Sequence, residues 1–108
     1  MIHDKIKWLA SLIDGLRWCD ISNKWLLMHN GKAQEWNPYM SIADAWMLVE
    51  KMDKLIEIQR PVTDYKYYRA HIYKNPGVIT VVNMSAPIAI TEAIYKAMGG
   101  PIELQEGK

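Results

Sequence analysis

Residues 36–46 read Trp36-Asn-Pro-Tyr-Met-Ser-Ile-Ala-Asp-Ala-Trp46, and the run carries on to Leu55. A proline closes a loop, Ser41 stands where a helix N-cap belongs, and Asp44 three residues later completes a Ser-x-x-acid capping pattern. Ile42, Ala45, Trp46, Val49, Met52 and Ile56 then recur at the spacing of one helical face. The pattern predicts a core helix over this run, with the carboxylates Asp44, Glu50, Asp53 and Glu57 on its solvent side.

Toward the N-terminus, Ile2, Ile6, Leu9, Ala10 and Ile13 share another helical face. Asp4, Lys5 and Ser11 fall away from it, and Gly15 is placed to end the helix. Asp20–Asn23 is a cluster of turn residues, and Lys24–His29 is an apolar run of strand length. Asn30-Gly31 is a strong hairpin signal, so strands are expected over Trp25–His29 and Lys32–Trp36, stopped by Asn37-Pro38. Toward the C-terminus, Gln59–Asp64 is a polar connector, and Tyr65–Tyr73 alternates with period two. Tyr65, Tyr67, Arg69, His71 and Tyr73 lie on one face of that strand; Lys66, Tyr68, Ala70, Ile72 and Lys74 lie on the other. Asn75-Pro76-Gly77 turns the chain into a strand over Val78–Asn83. Ser85 caps a last helix with Pro87 in its first turn and Ile90, Ala93, Ile94, Ala97 and Met98 on its buried face. Gly99-Gly100-Pro101 ends it. The order α-β-β-α-β-β-α defines an α+β fold: an antiparallel sheet of two hairpins with helices packed on it, an α/β/α sandwich. One domain is expected over residues 1–100, with 101–108 as a C-terminal tail.

At 108 residues, half of them hydrophobic and 23% charged, the chain has ordinary globular composition. Five Trp, six Tyr and no Phe mean that every large aromatic carries a polar group, which favours boundaries, grooves and subunit contacts. A formal net charge of +1 supplies no overall field to recruit nucleic acid or acidic membrane. A single cysteine, Cys19, fits a reducing compartment, and no 18-residue apolar run is present. The first residues lack the apolar core of a signal peptide. A cytoplasmic protein is the expectation.

Chemistry-bearing patterns are sparse. His3, His29 and His71 lack the spacing of metal ligands, so neither metal nor cofactor is expected. Cys19 beside Asp20 would need His29 or His71 folded against it to act as a nucleophile. The glycines sit at element ends, not in a phosphate loop. An enzyme is not expected. Two features suit binding. Trp36, Asn37, Tyr39 and Ser41 precede a helix N-terminus, where free N–H groups attract anions and an aromatic ring can stack on a base; equally, Trp36 and Tyr39 can staple the helix to the core. Tyr67, Arg69 and His71 share the strand face described above, which is a binding surface if it meets water and packing if helices cover it.

The run Trp36-Asn-Pro-x-x-Ser-Ile-Ala-Asp-Ala-Trp46-x-x-Val49-Glu50-Lys51-Met52 resembles the motif around the middle helix of the phage ABA sandwich domain family. Asp14-Gly15-Leu16-Arg17-Trp18 is similar to that family's helix-ending glycine and following Trp, and Ser85-Ala86-Pro87-x-Ala89-Ile90-x-x-Ala93 to the start of its last helix. The resemblance spans residues 5–98; Ile88, where an acidic residue is common, departs from it. It implies a layered α/β/α fold and a phage or prophage origin. It transfers no catalytic residue, because the family has no assigned shared activity. The expected function is therefore that of a non-catalytic phage accessory protein in the host cytoplasm. It would bind a small anionic host molecule, such as a nucleotide defence signal, as a homo-oligomer. The alternative is a module that inhibits or redirects a host protein; the near-neutral charge argues against a nucleic-acid partner.

Overall fold

A computed structural model describes residues 2–29, 31–52, 54, 56–60, 67–74 and 77–102. Among them, three helices alternate with two sets of three strands. Helix α1 (Ile2–Ala10) is followed by β1 (Leu16–Cys19), β2 (Lys24–His29) and β3 (Lys32–Glu35). Helix α2 (Ile42–Lys51) leads into β4 (Ile56–Gln59), β5 (Tyr68–Lys74) and β6 (Gly77–Asn83), and α3 (Ala86–Ala97) closes the domain. The α+β class is as expected. Each expected hairpin gains one strand, so the order becomes α-β-β-β-α-β-β-β-α, and the strands form two separate antiparallel meanders, β1-β2-β3 and β4-β5-β6.

Both added strands are four residues long; β4 lies where helical spacing dominated the reading, and β1 lies in a stretch to which the sequence pattern assigns no element. Helix α2 stops at Lys51 rather than running on to Leu55, and Met52 takes an extended conformation as its C-cap. Ile56 opens β4 instead, because Ile56 and Ile58 alternate with Glu57 and Gln59 and turn inward together. Glu57 is therefore a strand residue, not part of a helix surface. Strand β1 pairs Trp18 with Trp25 and Leu16 with Leu27 across the turn at residues 20–23, where Asn23 adopts a left-handed φ of 55°. In the second half, β5 begins at Tyr68; the expected strand residues Tyr65 and Lys66 lie outside the described residues.

The first hairpin keeps the register its two-residue turn implies, whereas in the second Gly77, expected in the turn, is the first residue of β6. His29 pairs with Lys32 around Gly31 (φ 76°), and Lys74 pairs with Gly77. Asn30, Asn75 and Pro76 lie outside the described residues. After Ala10, i→i−3 bonds from Leu12 and Ile13 tighten the chain before Gly15, whose φ of 92° suits the residue that turns it away.

One buried cluster unites the halves. It includes Ile6, Leu9 and Ile13 from the first helical region, Leu48 from α2, Ala70 and Ile72 from β5, and Ile90, Ala93, Ile94 and Tyr95 from α3. Helix α3 packs on β5 and β6 and against α2. Two expectations about helix faces change. Ile42 and Trp46 are exposed, and α2 buries Ala45 and Leu48, so its inward stripe is rotated from the one the spacing suggested. Lys5, placed by periodicity on the outer side of α1, is buried against Glu92 of α3.

Candidate functional site

The loop before α2 is built inward. Trp36 is 1% exposed, and its backbone N–H donates to Trp25 O at 2.8 Å, which extends the β2–β3 ladder by one residue. Asn37 Oδ1 accepts from Tyr39 N at 3.0 Å, fixing an Asx turn, and Asn37 N donates to Asp44 Oδ2 at 2.9 Å. Ser41 Oγ accepts from Asp44 N at 3.3 Å. Ser41 thus caps the first turn of α2, whereas the Asp44 carboxylate reaches past the N-cap to Asn37 and the Ser41 N–H donates to Asn37 O at 3.0 Å, so only the serine half of the capping pattern forms as expected. Thr91 of α3 donates its hydroxyl to Pro38 O at 2.8 Å, so the loop is tied to the last helix. Tyr39 is buried, and its hydroxyl donates to Glu92 Oε2 at 3.4 Å while Glu92 Oε1 holds Lys5 Nζ at 2.7 Å. Burial, then the Glu92 charge, pushes the Tyr39 hydroxyl far above its ordinary range. Trp36 and Tyr39 therefore lie in the core and Ser41 acts as a cap. Of the two readings of this loop, the geometry matches the staple.

The strand face is the reverse case. Tyr68, Ala70 and Ile72 turn inward, so Arg69, His71 and Tyr73 stand on the outer face of the second sheet, while Tyr67, expected in the strand, precedes β5 and is exposed. A polar chain crosses all three strands there. His71 Nδ1 lies 2.9 Å from Thr80 Oγ1 and His71 Nε2 lies 3.4 Å from Gln59 Oε1. A Gln carbonyl oxygen can only accept, so the Gln59 contact uses Nε2 as donor, while the Thr80 hydroxyl suits either role of Nδ1. Tyr73 donates to Glu57 Oε1 at 3.0 Å, and that bond pushes its hydroxyl above the ordinary range. This surface is a sheet face, not a cleft. The inner layer of the sheet and α3 separate it from the loop before α2, so the structure does not bring Tyr67, Arg69 and His71 together with Trp36, Asn37, Tyr39 and Ser41.

A concave site lies elsewhere, between α1 and the first sheet. Asp4, Lys7, Trp18 and Trp25 line a cavity of about 380 Å³. A neighbouring depression of about 390 Å³ shares Asp4 and Lys7 and adds Trp8 and Ser11. Trp18 and Trp25 are cross-strand partners with ring centroids 5.6 Å apart, tilted by 58°. The Trp18 indole N–H donates to Asp20 Oδ1 at 2.7 Å, yet the residue remains 45% exposed. Trp18 and Trp25 also border a small recess of about 40 Å³ that reaches Lys24, Glu35, Trp36 and Asn37. Trp36 Nε1 is buried with no partner among the described residues. The expected site missed Trp18 and Trp25. The usable signal was their even placement about the Asp20–Asn23 turn, which makes them opposite neighbours in any tight hairpin. Among the described residues, no three His, Cys, Asp or Glu side chains cluster as metal ligands would, and no helix is long and apolar enough to cross a membrane.

The sequence model of the phage ABA sandwich domain matches residues 7–95, and the chain belongs to that family. A solved structure described as a phage protein from Bacillus cereus ATCC 14579 is similar to it, at 25% identity and a TM-score of 0.59. The similarity covers 87% of this chain and 88% of that one. No curated protein matches the sequence.

Proposed function

We propose that this phage-family domain acts by binding rather than catalysis, and that its ligand is a small nucleotide-like anion seated in the groove between α1 and the first sheet. The observation that carries the reading is the Trp18–Trp25 pair, two large rings side by side at the mouth of a cavity of about 380 Å³. That volume falls within the roughly 300–1,000 Å³ of small-molecule sites. Stacking a base on an aromatic side chain contributes about 1–3 kcal/mol without strong sequence preference. Lys7 supplies a cation at the same wall, and Lys24 borders the adjoining recess. The groove's polar lining, Asp4 and Lys7, holds no nucleophile paired with a base, which supports retention without turnover. Stoichiometric retention of a nucleotide is how a phage protein would withdraw a host defence signal.

The test is thermal denaturation with cyclic nucleotides and ADP-ribose-type nucleotides at saturating concentration. One of them raises Tm by several degrees, and Trp18→Ala abolishes that rise while leaving the unliganded Tm close to that of the unaltered protein. A flat response across both nucleotide classes overturns the reading. A second reading, docking of a host protein, draws support from the outer face of the second sheet, where Arg69 and Tyr73 are exposed together. It predicts one co-purifying host protein that is lost with Arg69→Ala and Tyr73→Ala, and no thermal response to nucleotides.

A further inference from the structure

We propose that the open edge of β6 pairs with β6 of a second copy, antiparallel and centred on Thr80, so that the second sheets of two molecules continue into one another. The proposal starts from a contrast among the edge strands. In each three-stranded meander the outer two strands are edges: β1 and β3 in the first sheet, β4 and β6 in the second. Edge strands offer unpaired N–H and C=O groups, and proteins commonly guard them by keeping them short or charged. Three of the four edges follow that rule. Strands β1, β3 and β4 have four residues each, and carry Arg17, Lys32 with Glu35, and Glu57 respectively. Strand β6 has seven residues, Gly-Val-Ile-Thr-Val-Val-Asn, with no charge and no proline. Among the described residues only β5 pairs with it.

The backbone pattern selects the register. Lys74 and Gly77 close a two-residue connection and form the first pair of the β5–β6 ladder. Pairs flanking such a connection exchange hydrogen bonds, so Ile79 and Val81 direct their backbone groups to β5 in turn. Val78, Thr80 and Val82 direct theirs to the open edge. A two-fold axis through Thr80 then matches every open group: Thr80 faces the partner's Thr80, and Val78 faces the partner's Val82. The side chains match as well. Val78 is 51% exposed and Val82 49%, so each would cover the other on the outer face. Ile79 meets the partner's Val81 on the inner face. An isologous contact of this kind closes on itself and stops at two copies. One strand pair buries less than the roughly 1,200 Å² of a standard interface, which makes the association concentration-dependent.

Sedimentation analysis from micromolar to millimolar concentration reads the outcome. The unaltered protein shifts from 12.5 kDa toward twice that mass as concentration rises. Thr80→Lys and Thr80→Glu each place like charges directly opposite one another, and each weakens self-association at least tenfold. An equimolar mixture of the two restores the doubled mass, which a folding defect could not do. A protein that stays at the monomer mass throughout overturns the proposal, as does a dimer that Thr80→Lys leaves intact. A mixture that fails to reassociate overturns the register about Thr80.

Discussion

Lys5 carries a full charge into the interior, where its ammonium lies 2.7 Å from Glu92 Oε1 and 5.3 Å from the centre of the Tyr95 ring. Removing one partner of a buried pair costs roughly 3–5 kcal/mol, and because Glu92 retains some solvent contact, Lys5→Met is expected to cost about 2–3 kcal/mol, read from the urea midpoint. Tyr39, bonded to the other Glu92 oxygen, sets a pH limit. Its folded-state hydroxyl titrates well above the unfolded value of about 10, so its contribution is full below that pH and declines as pH rises beyond it. Alkaline titration followed at the tyrosinate band should therefore show Tyr39 ionising only as the protein unfolds, and Tyr39→Phe should flatten the fall in stability above pH 10. Neither role was legible in sequence. Lys5 looks like a surface lysine within its own helix, and the glutamate that receives it lies 87 positions away.

At the scale of elements, what could be read was what a few neighbouring residues determine. The Ser41 cap, the turn at Gly31, the alternation that turns Arg69 and His71 to one side and the Pro87 helix start all depend on contacts within a few positions. Short strands escaped because four residues satisfy more than one period: Ile56 fits a helical series begun at Ile42, and only pairing with Ile72 decides for the strand. The same holds for the candidate groove, since Trp18 and Trp25 become a pair only through the β1–β2 register. The end of α3 shows a local packing constraint. Gly100 donates its N–H to Tyr95 O at 2.9 Å, and a Cβ at Gly100 would press into the Tyr95 ring. That ring is fully buried, and its hydroxyl is held by Pro101 O at 2.7 Å, so it has no free direction to yield. Gly100→Ala is expected to lower stability by about 1–3 kcal/mol, the usual cost of overpacking, seen as a lower Tm with an unchanged far-ultraviolet spectrum.

Taken whole, the molecule is two meanders of sequence neighbours held to one core by contacts that span the chain. Strands adjacent in sequence pair within each sheet, whereas the Lys5–Glu92 contact of α1 with α3 joins residues 87 positions apart. Local pairing of this kind favours rapid formation of the sheets, with docking of α1 the more costly closure. Trp36 lies where the first sheet, the loop before α2 and the core converge, so its loss acts on the entire fold. Trp36→Ala should cost about 3–5 kcal/mol, whereas Trp46→Ala, on the exposed side of α2, should stay within about 0.5 kcal/mol. Paired thermal melts check the difference. Equal losses would mean that Trp36 does not hold the halves together.

The unequal burial of the tryptophans also gives the protein its own optical reporters. Trp36 should emit in the blue, shielded from water, while Trp18 and Trp46 emit further to the red and are open to a dissolved quencher. A molecule entering the groove would change the Trp18 and Trp25 component and leave the blue band of Trp36 in place. Loss of the fold would shift that band to longer wavelength. A single emission spectrum can thus tell occupancy from unfolding without any added label.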